Sequence, residues 1–124
     1  DHAAMRRMLR GNGGVSAYLG TNDCREVEAR IAAGDAEALR VYESLAYQVA
    51  KGIGELATVV SGEVDCIVLT GGLANSAMMT SWIEKRVRFI APVDIVPGGD
   101  ELRALALGVL RVLRGEEVER EFEE

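Results

Sequence analysis

The residues best suited to meet a ligand lie in the stretch Val64-Asp65-Cys66-Ile67-Val68-Leu69-Thr70-Gly71-Gly72-Leu73-Ala74-Asn75-Ser76. Its first half is a nearly unbroken apolar run rich in β-branched residues, which predicts a strand over 64–70 buried on both faces. A glycine pair and small polar residues follow, a sequence suited to starting a helix. In open α/β sheets ligands collect beyond the carboxyl ends of the strands, and adjacent glycines there let a ligand approach the backbone. The same pair would serve a tight strand-to-helix turn with no ligand at all. Asp23 and Glu26 have the spacing of a capping box with Asp23 at the cap, a role that accounts for the aspartate by itself. Asp100 and Glu101 open another predicted helix, where carboxylates suit the macrodipole. Gly11-Asn12-Gly13-Gly14 lacks the lysine and the preceding strand of a phosphate-binding P-loop, and reads as a connector.

Other chemistry finds little support. The single histidine, His2, has no partners in sequence, and Cys24 and Cys66 have no metal-ligand spacing, so a reduced, cytoplasmic protein is expected. The net charge is -6, but residues 116–124 carry -5 of it and the other 115 residues only -1. A near-neutral body argues against nucleic acid as a partner, and Arg6, Arg7 and Arg10 read as the solvated face of a short helix. No apolar run approaches a membrane span and no signal-peptide order is present, so no membrane partner is expected. The chain opens on Asp1 rather than Met, as a piece cut from a longer protein would.

The elements that must position these residues follow from periodicity. With 124 residues, 48% hydrophobic and only 5% aromatic, the chain suits one α-rich or α/β domain with an Ala/Val/Leu core. A helix is predicted over 3–10, and 15–20 is irregular or a brief helical turn. A further helix starts at Asp23, shares Val27 and Ile31 on one face, and stops at Gly34. The longest helix runs from Asp35 to about Val60, with Leu39, Tyr42, Ala46, Val49, Ile53, Leu56 and Val60 in one apolar stripe. At about 40 Å it is too long for a small globule to cover on one side, so it is expected to lie between two layers, at least one of them absent from this chain. Gly52 and Gly54 cost about 1 kcal/mol each in mid-helix, which predicts close packing of another backbone against them. Ser76 to Arg86 is a helix whose Met78, Met79 and Trp82 are core filler. A second strand, Val93 to Val96, closes on Pro97-Gly98-Gly99. A last helix carries Leu102, Leu105, Ala106, Val109 and Leu113 and ends at Gly115, and the acidic tail 116–124 is expected to be frayed or disordered. The result is an α/β chain with a β-α-β-α core and a sheet too small to stand alone.

Several segments, in order, resemble one family. They are Ala17-Tyr18-Leu19-Gly20-Thr21-Asn22-Asp23-Cys24-Arg25-Glu26-Val27-Glu28, Ala46-Tyr47-Gln48-Val49-Ala50-Lys51, Val68-Leu69-Thr70-Gly71-Gly72-Leu73-Ala74, Phe89-Ile90-Ala91-Pro92-Val93, and Pro97-Gly98-Gly99-Asp100-Glu101-Leu102 with Ala104-Leu105-Ala106-Leu107-Gly108. From about Gly11 to Gly115 the chain resembles the C-terminal part of the acetate and butyrate kinase family, in its butyrate branch. That family belongs to the actin-like and sugar-kinase (ribonuclease H-like) ATPases.

The resemblance implies reversible transfer of the ATP γ-phosphoryl group to a short-chain carboxylate, with Mg²⁺, giving an acyl phosphate and ADP. It implies that residues 1–115 are part of the nucleotide-binding domain. Gly71, Gly72, Leu73, Ala74 and Asn75 would form the adenosine-binding turn, Asp23 and Arg25 would stand beside the nucleoside, and Asp100 and Glu101 would lie near the metal. The family's acyl pocket, catalytic arginines and histidine, and phosphate loops fall upstream, so no catalytic residue is assigned to this chain and His2 matches none of them. Family members associate, which implies a homo-oligomer. The alternative is a non-catalytic nucleotide-sensing or dimerisation module derived from the same fold.

Overall fold

The computed structural model describes residues 1–9, 11–98 and 101–119, with only the backbone at Glu101. Arg10, Gly99, Asp100 and residues 120–124, all of which figure in the expectations above, lie outside the described residues. The helices are α1 (His2–Leu9), α2 (Val15–Leu19), α3 (Cys24–Ala32), α4 (Ala36–Val59), α5 (Ala77–Val87) and α6 (Glu101–Leu113). Two strands, β1 (Ile67–Gly71) and β2 (Val93–Pro97), pair in parallel from Ile67 opposite Val93 to Gly71 opposite Pro97. A 3₁₀ turn, Gly72–Asn75, joins β1 to α5. Among the described residues no helix is long and apolar enough to cross a membrane.

Local chemistry places the helix starts. Asp35 Oδ1 accepts from the backbone N–H groups of Glu37 and Ala38, which fixes the first turn of α4, and Arg30 ties the same carboxylate to the end of α3. Ser76 Oγ accepts from Met79 N–H at 2.9 Å and starts α5. Asp23 caps α3 as expected, through a 2.9 Å bond from Arg25 N–H. The expected reciprocal bond from Glu26 does not form. Thr21 intervenes instead: its hydroxyl donates to Glu26 at 2.8 Å while its oxygen accepts from Asp23 N–H at 3.2 Å.

The core lies where α4 crosses α5 and α3. Tyr42, Ala46, Val27, Met79 and Val87 are buried there, with Ile67 reaching in from β1. Trp82 meets Tyr42 edge-on, with centroids 6.0 Å apart and planes at 70°. The centre of the long apolar stripe is therefore covered, but its C-terminal end is bare, with Leu56 and Val60 exposed.

Two further expectations are corrected. The strand is not buried on both faces: Ile67 and Leu69 pack against the core, while Val68 is 57% exposed on the other side. The unbroken apolar run fits a two-sided environment, but the described residues supply one layer only. Nor does α6 cover the open face, since Leu102 is itself 81% exposed and Leu105 and Val109 are also out. The second correction concerns Gly52 and Gly54, which have no neighbouring backbone: a Cβ at either would meet nothing within 4 Å. The acidic tail is described only over its first residues, where Glu117 and Glu116 pair back to Arg111 and Arg114 at the end of α6.

These environments set two outcomes. Truncating Met79, 1% exposed, to Ala should cost about 2–5 kcal/mol in a urea titration. Phe89→Ala, at a side chain 83% exposed, should stay within about 0.5 kcal/mol of wild type in the same measurement. The other outcome concerns acid. Asp23's carboxyl is held down to about 2, first by the Arg25 guanidinium and then by Arg25 N–H. A depressed carboxyl contributes stability above its ordinary value near pH 4, and loses it as pH falls toward about 2. Asp23→Asn keeps a capping oxygen but cannot titrate, so its acid unfolding curve should be flatter across that window. An unchanged slope would show that the pair carries no linkage.

Candidate functional site

The glycine turn is built by two constraints at the ends of the strands. Gly71 has φ 82° and ψ -172°, a region that only glycine enters without strain. Gly98, just past β2, stands so close that a Cβ on it would lie 2.9 Å from Gly71 N, while Gly98 N–H donates to Gly71 C=O at 3.2 Å. The chain is thereby forced to leave β1 sharply and wind into the 3₁₀ turn. Asn75 closes that turn, its amide donating to Gly72 C=O at 3.1 Å and Gly98 C=O at 3.4 Å. Gly72 differs from Gly71. Its φ is not in the left-handed region, and a Cβ there would meet open space.

Opposite this turn stands the start of α3. Arg25 folds back on Asp23 in a two-pronged pair, Nε to Oδ1 at 3.0 Å and an Nη to Oδ2 at 2.7 Å. The guanidinium is itself pushed up by the Asp23 carboxylate. Because the pair is exposed, solvent screening keeps its contribution to stability small, so the flattening expected of Asp23→Asn in acid is a modest one. What it does is hold a planar cation in one orientation at the mouth of a cleft.

That cleft has a volume of about 610 Å³ and lies between the two walls. Asn22, Asp23, Cys24, Arg25 and Glu28 line one side, and Gly72, Leu73, Asn75 and Ser76 the other. Five of the residues expected to bind nucleotide thus meet across it: Asp23, Arg25, Gly72, Leu73 and Asn75. Gly71 and Ala74 do not line it. Gly71 acts through backbone geometry, and Ala74 is buried toward the core beside Ile67 and Met79. Asp100 lies outside the described residues, and Glu101 is described only as the first residue of α6. Among the described residues no group of three or more His, Cys, Asp or Glu side chains could hold a metal.

Sequence reasoning passed over Glu28 and Ser76, which form the floor. Glu28 Oε1 accepts from Tyr42 OH at 2.9 Å and from Ser76 OH at 2.5 Å. Burial pushes the Tyr42 phenol far above its ordinary value, and the Glu28 bond adds to this, so the phenol stays a donor. The available signal was that Arg25 and Glu28 are three residues apart and so share a helix face.

The cleft is of a size to hold a nucleoside and combines an apolar side chain (Leu73), exposed backbone, a cation and carboxylates. A second groove, about 670 Å³ over α6, is lined only by Ala104, Leu105, Gly108, Val109 and Val112 and has nothing to orient a polar ligand.

Comparison with known proteins agrees in one direction. Residues 2–91 match the Acetokinase family. A protein described as probable butyrate kinase 2 from Caldanaerobacter subterraneus subsp. tengcongensis is 54% identical over 113 residues, 91% of this chain and 32% of that relative. Butyrate kinase 2 of Clostridium acetobutylicum is 48% identical over 116 residues, 94% of this chain and 33% of its own length. A probable butyrate kinase of Listeria monocytogenes serotype 4a is 48% identical over 118 residues, 95% of this chain and again 33% of its own length. The chain thus spans about a third of the length of the curated relatives it matches. With most of its residues inside the family match, the chain belongs to the acetokinase family.

Proposed function

We propose that this chain is the nucleotide-binding part of a carboxylate kinase. The whole enzyme transfers the γ-phosphoryl group of ATP reversibly to butyrate or a related short-chain fatty acid, giving an acyl phosphate and ADP. The observation that carries the reading is the cleft that sets Asp23 and Arg25 against the Gly72–Asn75 turn. Leu73 offers apolar surface to an adenine ring, Gly72 lets the backbone face the nucleoside with no Cβ between, and the oriented Arg25 offers a flat cation to a base or sugar. Asp23, already satisfied by Arg25, retains lone pairs for a ribose hydroxyl.

Phosphoryl transfer depends on positioning and charge neutralisation more than on covalent chemistry. This chain supplies the positioning of the nucleoside. Mg²⁺, when bound with the nucleotide phosphates, neutralises charge, and Asp100 and Glu101 are its candidate ligands here. The acyl pocket and the groups around the transferring phosphoryl belong to the remainder of the enzyme. The open face of β1 and the bare side of α6 are surfaces for that remainder to cover. The high identity to proteins described as butyrate kinases supports an enzyme over a non-catalytic module.

The full-length protein, given ATP, Mg²⁺, butyrate and hydroxylamine, should yield the hydroxamate of the acid; none with any short-chain acid would end the kinase reading. The cleft itself is tested by Gly72→Val. A side chain is accommodated there by the fold, since nothing lies within 4 Å, but it would project where the nucleoside must come. ATP affinity should fall by roughly tenfold or more, about 1.4 kcal/mol, with the KM for the acid nearly unchanged. Unchanged ATP affinity in this folded variant would make the turn architecture alone.

A further inference from the structure

The two walls of the cleft come from separate parts of the chain, each packed on α4, and at the cleft itself little joins them directly. Among the described residues, one hydrogen bond joins α3 to the segment 72–76, and it runs from Ser76 OH to Glu28 Oε1. The Asp23–Arg25 pair stays within the α3 wall, and the Asn75 bonds stay within the turn and the end of β2. Packing of α3 and α5 on α4 sets the coarse separation of the walls, and Glu28 is the polar link that joins them at the cleft.

Ser76 does not need this bond to do its local work. Capping α5 requires only that its oxygen accept from Met79 N–H, which it does at 2.9 Å. The hydroxyl proton could go to solvent, since Ser76 is only half-buried and lines an open cleft. It goes instead to Glu28, 48 residues back along the chain, in a short bond of the kind carboxylates make with hydroxyls. The same oxygen of Glu28 is held from beneath at 2.9 Å by Tyr42, which is fully buried on α4, braced by Trp82, and makes a longer 3.4 Å contact from its hydroxyl to Ser76 Oγ. The carboxylate is thus pinned by the rigid core through one bond and grips the opposite wall of the cleft through the other.

We infer that Glu28 is the positioning residue of the nucleotide cleft: it straps the α3 wall to the Ser76 wall and so sets the gap that the nucleoside must fill. This rests on the nucleotide reading above. A gap fixed before binding spares the ligand the cost of ordering it, so losing the strap weakens nucleotide binding without touching the acid site. Tyr42→Phe separates this effect from a loss of fold, because the core contacts of the ring do not depend on its hydroxyl.

The test uses the full-length protein, with ADP binding by calorimetry, acid KM, and thermal melting on each variant. Glu28→Ala should raise the ADP Kd by about tenfold while leaving the KM for the acid within about twofold. Glu28→Gln keeps an acceptor oxygen for both hydroxyls and should restore most of the affinity. Tyr42→Phe keeps the ring packing and should raise the Kd by about threefold. A folded Glu28→Ala protein that binds ADP like wild type would overturn the inference; if that variant does not fold, wild-type affinity in Tyr42→Phe would do the same. Weak binding in Glu28→Gln equal to that in Glu28→Ala would also overturn it, since the strap would then not be the cause. Wild type that binds no adenine nucleotide would instead remove the nucleotide reading, and this inference with it.

Discussion

A phenol buried in the middle of a helical core must be given a hydrogen-bond acceptor, and much of this structure follows from how that demand is met at Tyr42. Its ring fills the contact between α4 and α5 and meets Trp82 edge-on. Its hydroxyl, cut off from water, donates to Glu28 on α3. An unpaired hydroxyl there would cost on the order of 1–3 kcal/mol, enough to decide where α3 sits. Once Glu28 is committed to Tyr42, Ser76 is drawn to the same oxygen, and the beginning of α5 is set against α3. The core and the cleft are thus two ends of one hydrogen-bonded chain.

The residues around the cleft, for which ligand contacts are proposed above, also carry structural roles. Asp23 caps a helix and orients Arg25 with the same carboxylate. Ser76 caps α5 with a lone pair and gives its proton to the strap. The two glycines divide the labour: Gly71 is required by its backbone angle, while Gly72 has no such requirement and faces open space. Neither conformation nor packing demands a glycine at Gly72, which is why the proposed nucleotide contact is tested there.

The apolar surface left bare is spread over several elements. Val68 on β1, Leu56 and Val59 at the end of α4, and Leu102 and Leu105 on α6 are all exposed. Two parallel strands covered on one face are less than a stable α/β sheet needs. The chain spans about a third of its relatives' length, and these surfaces are where the rest of such a protein would add its layers.

Much of the fold was legible before any coordinates. Local sequence pattern located both strands, although β1 begins only at Ile67, and every helix but α2, whose segment reads as irregular or a brief helical turn. The 3.6- and 2-residue repeats behind that pattern are local properties of the backbone. Short-range chemistry named the cap Asp23, started the longest helix at Asp35 and marked the turn at Gly71-Gly72, and ordered motifs pointed to the family. Distances between remote segments had to come from the folded chain. It is there that β1 is covered on one face, that among the described residues no atom comes within 4 Å of a Cβ placed on Gly52 or Gly54, and that Thr21 displaces Glu26 from the cap. The fold also separates Gly72, Leu73 and Asn75, which face the cleft, from Gly71 and Ala74, which do not. Above all it brings Glu28 to Ser76 across 48 residues. No periodicity encodes such a pairing, because it depends on where α4 places a buried hydroxyl and on which carboxylate can reach it.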